Sequence, residues 1–113
     1  MPDTDIDAAV AAHLRRFNDA VRSGDFAGLV ATFADDAVMS FDGVPIGPFR
    51  GRAEILRAYQ QQPPTSTMTA QSIEEIAPGL ARVRFEWDGG GTGTMQVGFS
   101  ADRVTELRVA FDD

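Results

Sequence analysis

The chain has 113 residues, 43% hydrophobic and 24% charged, the make-up of one soluble globular domain that buries ~65% of the surface its unfolded form exposes. Its net charge of −7 argues against nucleic acid and anionic membrane surfaces as partners, because both are held by cationic patches. All ten basic residues are arginine, there is no cysteine and His13 is the single histidine, so lysine Schiff bases, thiolate chemistry, disulfides, iron–sulfur clusters and multi-histidine metal sites are excluded.

No apolar run reaches the ~18 residues a membrane span needs. The acidic start Met1-Pro2-Asp3-Thr4-Asp5 lacks the basic and apolar regions of a signal peptide, so a cytoplasmic location is expected. Nothing in the residues asks for a nucleotide, metal or other cofactor, and none is expected. Proton transfer would fall to a carboxylate or to His13.

In chain order, residues 4–22 read as an amphipathic helix. Thr4 and Asp7 have capping-box spacing, Gly24 follows the end, and Ile6, Val10, His13, Leu14, Phe17 and Val21 make one apolar face. His13 lies at the edge of that face, a structural residue first and a base in reserve. Asp25 caps a second helix over Phe26–Phe33, with Asp35 and Asp36 in the loop after it. Ala37–Asp42 reads as a strand, and Gly43, Pro45, Gly47 and Pro48 turn the chain back. Gly51 opens a third helix, with Ile55, Leu56 and Tyr59 inward, which stops before Pro63-Pro64.

From Thr65 onward the pattern is β. Strands are expected over 66–77, 80–88, 92–100 and 103–111, joined by Pro78-Gly79, Gly89-Gly90-Gly91 and Ala101-Asp102. Connections this short make an antiparallel meander. Alternation sets Val83, Phe85 and Trp87 against Arg82, Arg84 and Glu86, and Leu107, Val109 and Phe111 against Glu106 and Arg108. In the strand between, Met95 and Val97 face the same way as these apolar residues. Such a face forms either a plain core or, under a curved sheet closed by few helices, a cavity suited to a flat apolar ligand. The order α-α-β-α-β-β-β-β, helices first and sheet last, is that of an α+β domain spanning 1–113.

The run Ser23-Gly24-Asp25-Phe26-Ala27-Gly28-Leu29-Val30-Ala31-Thr32-Phe33-Ala34-Asp35-Asp36-Ala37 resembles the second-helix signature of the nuclear transport factor 2-like superfamily. The turn Gly47-Pro48-Phe49-Arg50-Gly51-Arg52 and the ending Asp102-Arg103-Val104-Thr105-Glu106-Leu107-Arg108-Val109 resemble it too. That superfamily contains the ketosteroid isomerases and the SnoaL-like polyketide cyclases. The resemblance covers nearly the whole chain. It implies a cone of three N-terminal helices packed on a curved, mainly antiparallel sheet, with an apolar pocket and a homodimer. It specifies the fold and leaves the function open, since this fold hosts several chemistries and non-catalytic binders.

In the ketosteroid isomerases an aspartate late in the first strand moves the proton. Counted back from Gly51, Asp42 takes that place; counted forward from Ala34-Asp35-Asp36-Ala37, Phe41 does, because this chain has one residue more. Plain alternation groups Asp42 with Val38 and Ser40, so it enters a pocket only through a bulge near Phe41 or a turn starting at Asp42. The alternative is a turn-forming Asp before Gly43. By the same resemblance Phe17 and Met95 replace the isomerases' oxyanion donors, while the third-helix tyrosine is matched by Tyr59.

Three functions follow from this reading. The first is proton transfer on an apolar carbonyl compound, as isomerase or cyclase, with Asp42 as general base and Tyr59, or alternatively Trp87, steadying the enolate. Phe17, Phe41, Phe85, Trp87, Met95, Val97, Val109 and Phe111 would bind the substrate. The second is epoxide hydrolysis or cyclisation using Asp42 with Arg50 and Arg52. The third is a non-catalytic ligand-binding or dimerising module, with Arg82, Arg84, Glu86, Glu106 and Arg108 on the outer sheet face open to a partner.

Overall fold

The apolar stripe of the first helix sets how the chain closes. A computed structural model describes residues 5–112. Helix α1, Ile6–Ser23, buries Ile6, Val10, His13, Leu14, Phe17 and Ala20, all on one side at helical spacing. Its N-cap is Asp5, whose carboxylate accepts the N–H groups of Asp7 at 3.1 Å and Ala8 at 3.3 Å. The expected Thr4 cap lies outside the described residues. Gly24, at φ +78°, ends the helix in the left-handed region.

The second helix is far shorter than the sequence suggests. Helix α2 is a single turn, Ala27–Val30, and Phe33 already belongs to a strand. Sheet pairing overrides local helical propensity here: Thr32 accepts the Val104 N–H at 3.0 Å, and Phe33 lies opposite Val104. Strand β1, Phe33–Asp42, therefore takes in Asp35 and Asp36, expected in a loop. A two-residue strand β2, Phe49–Arg50, which the sequence did not reveal, pairs antiparallel with β1. Helix α3, Gly51–Gln61, follows, with Ile55 and Tyr59 buried.

Four long strands complete the chain: β3, Met68–Ala77; β4, Leu80–Trp87; β5, Thr92–Ser100; and β6, Arg103–Phe111. They form the expected antiparallel meander, while β1 joins β6 in parallel. The six-stranded sheet has the order β2-β1-β6-β5-β4-β3. The element order is thus α-α-β-β-α-β-β-β-β, with two long helices and one single turn instead of three comparable helices.

One face of this mostly antiparallel sheet packs against the helices and carries Ala81, Val83, Phe85, Met95, Val97, Leu107 and Val109, all buried. Asn18 ties α1 to the start of β3 with a pair of bonds: its amide donates to the Met68 carbonyl at 3.0 Å and accepts the Met68 N–H at 2.9 Å. Gly93 explains a close contact within the sheet. A Cβ there would lie 2.5 Å from Phe85 Cζ and 2.7 Å from the Ala110 carbonyl oxygen, so the Phe85 ring occupies the space above β5 that a side chain would need.

Candidate functional site

Because β1 runs parallel to β6, and β4 and β6 both run antiparallel to β5, the C-terminal ends of β1, β4 and β6 lie at the same end of the sheet. The residues that alternation turns inward there are Phe41, Trp87 and Phe111. Their rings form a continuous rim. Phe41 stacks on Phe111 at 6.0 Å, Phe111 on Trp87 at 6.4 Å, Trp87 meets Phe17 at 6.3 Å, and Phe49 packs edge-on against Phe41 at 6.4 Å.

Below the rim is a cavity of about 470 Å³, in the range of small-molecule sites. From α1 it is lined by His13, Leu14 and Phe17; from β1 by Met39 and Phe41; from α3 by Ala58, Tyr59 and Gln61. Met68, Trp87, Met95, Leu107, Val109 and Phe111 line it from the later strands. Two loops contribute Val44 and Ile46 on one side and Gln62, Pro64, Thr65 and Ser66 on the other. Val44, Ile46 and Phe111 are the exposed large hydrophobic residues among the described residues, and all three border this cavity.

Two titratable side chains face the space. His13 is 3% exposed, and its Nδ1 is buried with no hydrogen-bond partner. Burial, assisted by the nearby Arg16 charge, pulls its pKa down to about 4, so the ring is neutral at pH 7. Tyr59 is buried and stacked on Phe26 at 5.0 Å with the rings 4° from parallel. Burial pushes its phenol well above the ordinary value, so it stays protonated and able to donate. No Asp, Glu or Arg belongs to the cavity lining among the described residues.

Asp42 is therefore not where a pocket base would have to be. It is nearly half-exposed on the other face of the sheet, with both carboxylate oxygens 3.0 Å from Arg108 Nε. The one irregularity in the pairing of β1 with β6 lies far upstream of Asp42. Phe33 lies opposite Val104 and Val38 opposite Glu106, so β1 advances five residues while β6 advances two. From Val38 to Asp42 the ladder is regular, and parity leaves Asp42 beside Val38 and Ser40 on the outer side. No bulge near Phe41 turns it inward.

The grouping of Asp42, Arg50 and Arg52 also comes apart. Arg52 pairs with Asp35, Arg50 is exposed, and neither lines the cavity. Phe85 and Val97, expected to touch a substrate, are fully buried in the solid core and do not reach the cavity. Phe17, Phe41, Tyr59, Trp87, Met95, Val109 and Phe111 do line it. Met39 and Leu107 share strand parity with Phe41 and Val109, so alternation held the signal for them. The contributions of the loops at 43–48 and 62–67 had no periodic signal at all. Among the described residues no group of three His, Cys, Asp or Glu side chains is placed to hold a metal ion, and no helix is long and apolar enough to cross a membrane.

Solved structures similar to this one share its architecture. A SnoaL-like protein of unknown function from Burkholderia thailandensis aligns over 100% of both chains at 18% identity, with a TM-score of 0.75. A Bacillus subtilis protein provisionally named an isomerase aligns at 15% identity over 96% of this chain and 90% of its own, with a TM-score of 0.73. A computationally designed binder of 17-OHP aligns at 15% identity over 92% of this chain and 91% of its own, with a TM-score of 0.71. At these identities the likeness establishes a nuclear transport factor 2-like fold and nothing finer. No curated protein matches the sequence. The model of the SnoaL-like domain matches residues 14–112, nearly the whole chain. This chain belongs to the SnoaL-like domain family.

Proposed function

We propose that this chain is a binding module for a small, uncharged, largely apolar molecule held in the cavity. One observation carries the reading: in a chain with 17 acidic and 10 basic residues, none of those side chains lines the cavity among the described residues. An ionised ligand would lose its hydration there without gaining a counter-charge, which is costly. An apolar one would gain ~25 cal/mol for every Å² it removes from water against the aromatic and aliphatic walls. The designed 17-OHP binder supports the reading by analogy, since the same architecture there serves binding.

The test is fluorescence titration with N-phenyl-1-naphthylamine, an uncharged apolar dye. Enhancement that saturates is expected, as is its loss in Ala58→Phe, which places a ring in the cavity. No enhancement, or equal enhancement in both proteins, would overturn the proposal.

One observation favours a second reading, proton transfer with His13 as the base through an unprotonated Nε2. A neutral imidazole and a protonated phenol, Tyr59, line the same cavity. With its pKa at about 4, His13 is a base no stronger than an ordinary carboxylate, near ~3.9. An enolisation assay decides it: rates equal in wild type and His13→Gln remove this reading and leave binding.

A further inference from the structure

His13 lies at the floor of the cavity. Its ring is 5.9 Å from that of Phe33, which is fully buried at the start of β1, away from the rim. One turn further along α1, Phe17 already meets Trp87 at the rim. A molecule entering between Val44, Ile46 and Phe111 therefore presents its leading end to His13 and its trailing end to exposed apolar side chains.

A neutral imidazole has one donor nitrogen and one acceptor nitrogen. Nδ1 is sealed in without a partner. A buried N–H left unpaired is rarer in proteins than an under-satisfied acceptor, so the proton belongs on Nε2. No described residue pairs with that N–H, and no carboxylate in the lining competes for it. Tyr59 adds a second donor, a hydroxyl, to the same wall.

We infer that His13 is the specificity-determining residue of this cavity: it donates Nε2–H to an uncharged hydrogen-bond acceptor at the buried end of an otherwise apolar ligand. The inference rests on the binding reading above and adds to it a ligand chemistry. A pure hydrocarbon fits the walls but leaves the His13 donor unpaired. A carboxylate could accept the bond but would bring an unpaired charge to the floor.

The test uses two probes of nearly equal shape, 2-acetylnaphthalene and 2-ethylnaphthalene, followed by NMR titration. The wild-type protein is expected to bind the ketone about fivefold more tightly, the effect of one net hydrogen bond. His13→Leu should erase that preference, read as the ratio of the two affinities, and His13→Gln, which keeps an N–H, should restore part of it. Because His13 is the only histidine, its ring ¹⁵N resonances are unambiguous in the wild type. The ketone should shift Nε2 and the hydrocarbon should not, so the question is decided even if a variant fails to fold. Equal affinities with Nε2 unmoved overturn the inference and leave the binding module standing. If neither probe binds, both fall.

Discussion

In the solid core Phe33, Val83, Phe85, Val97 and Val104 are fully buried and fill the interior. Around the cavity the same strands carry Phe41, Trp87, Met95 and Phe111 beside empty space. Strand parity is identical in both regions, and both sets of side chains face inward. The difference lies in what covers them. The solid core is completed by Val10 of α1, Leu29 and Val30 of α2 and Ile55 of α3, all buried. The cavity is covered partly by the loops at 43–48 and 62–67, which send in Val44, Ile46, Pro64 and the polar side chains of Gln62, Thr65 and Ser66. An inward-facing aromatic residue thus becomes core or cavity wall according to the segment opposite it, not according to its own strand.

Neighbouring positions on β4 give the largest expected effect. Phe85→Ala empties a filled site and should cost ~3–5 kcal/mol of unfolding free energy. Trp87→Ala, two residues on and on the same face, enlarges a space that is already open and should cost well under that. Urea unfolding with unchanged m-values measures both. Equal costs would mean that the two regions are packed alike.

His13 is the polar group on the boundary between the two regions. Its unfolded imidazole takes a proton near pH 6.5, the folded one only at about 4. Above pH 6.5 neither state is protonated and the residue adds no pH dependence. Between these values the unfolded chain binds a proton that the folded one refuses, so stability falls as the pH falls. Below about pH 4 the loss is complete, on the order of 3 kcal/mol. The charged group acting on the ring is Arg16, which lowers its pKa further. Stability curves of wild type and His13→Leu should therefore diverge through this window, the wild type falling more steeply towards acid. Parallel curves would place the imidazole in water.

Gly93 tests the solid core from the sheet side. Gly93→Ala sets a methyl against the Phe85 ring and the Ala110 carbonyl, an overpacking that should cost ~1–3 kcal/mol. The same change paired with Phe85→Leu, which removes the ring, should cost less than the two separate effects added together. Simple additivity in that double-mutant cycle would mean that the ring does not rest on Gly93.

Much of this architecture was legible because alternation and turn chemistry are local. The meander from Met68 to Phe111, the inward sets on β4 and β6, and the helix ending at Gly24 all followed from residue spacing. Non-local pairing was not legible. Phe33 scans as the last inward residue of a helix, and only its partner Val104, 71 positions away in the chain, makes it a strand residue. Phe85 and Trp87 are equivalent by alternation, and the sequence offered no sign of which would meet a filler. His13 was visible as a buried polar position, but its lack of a partner is a property of the assembled interior.

Asp42 gives the smallest expected effect and the sharpest contrast with His13. The two were the candidate bases, and folding separated them by the parity of one strand. Asp42 has what a stable surface carboxylate needs, a cation at 3.0 Å and access to water, whereas His13 has neither a partner nor solvent. An exposed ion pair of this kind contributes ~0–1 kcal/mol, so Asp42→Asn should lower stability by no more than that. It should also leave N-phenyl-1-naphthylamine affinity unchanged, because the carboxylate is not part of the cavity lining. Double substitution with Arg108→Gln should recover most of the small loss, since each partner is then spared an unpaired charge. Loss of dye binding in Asp42→Asn would instead show that the carboxylate reaches the cavity, and the division between a neutral interior and a charged exterior would have to be abandoned.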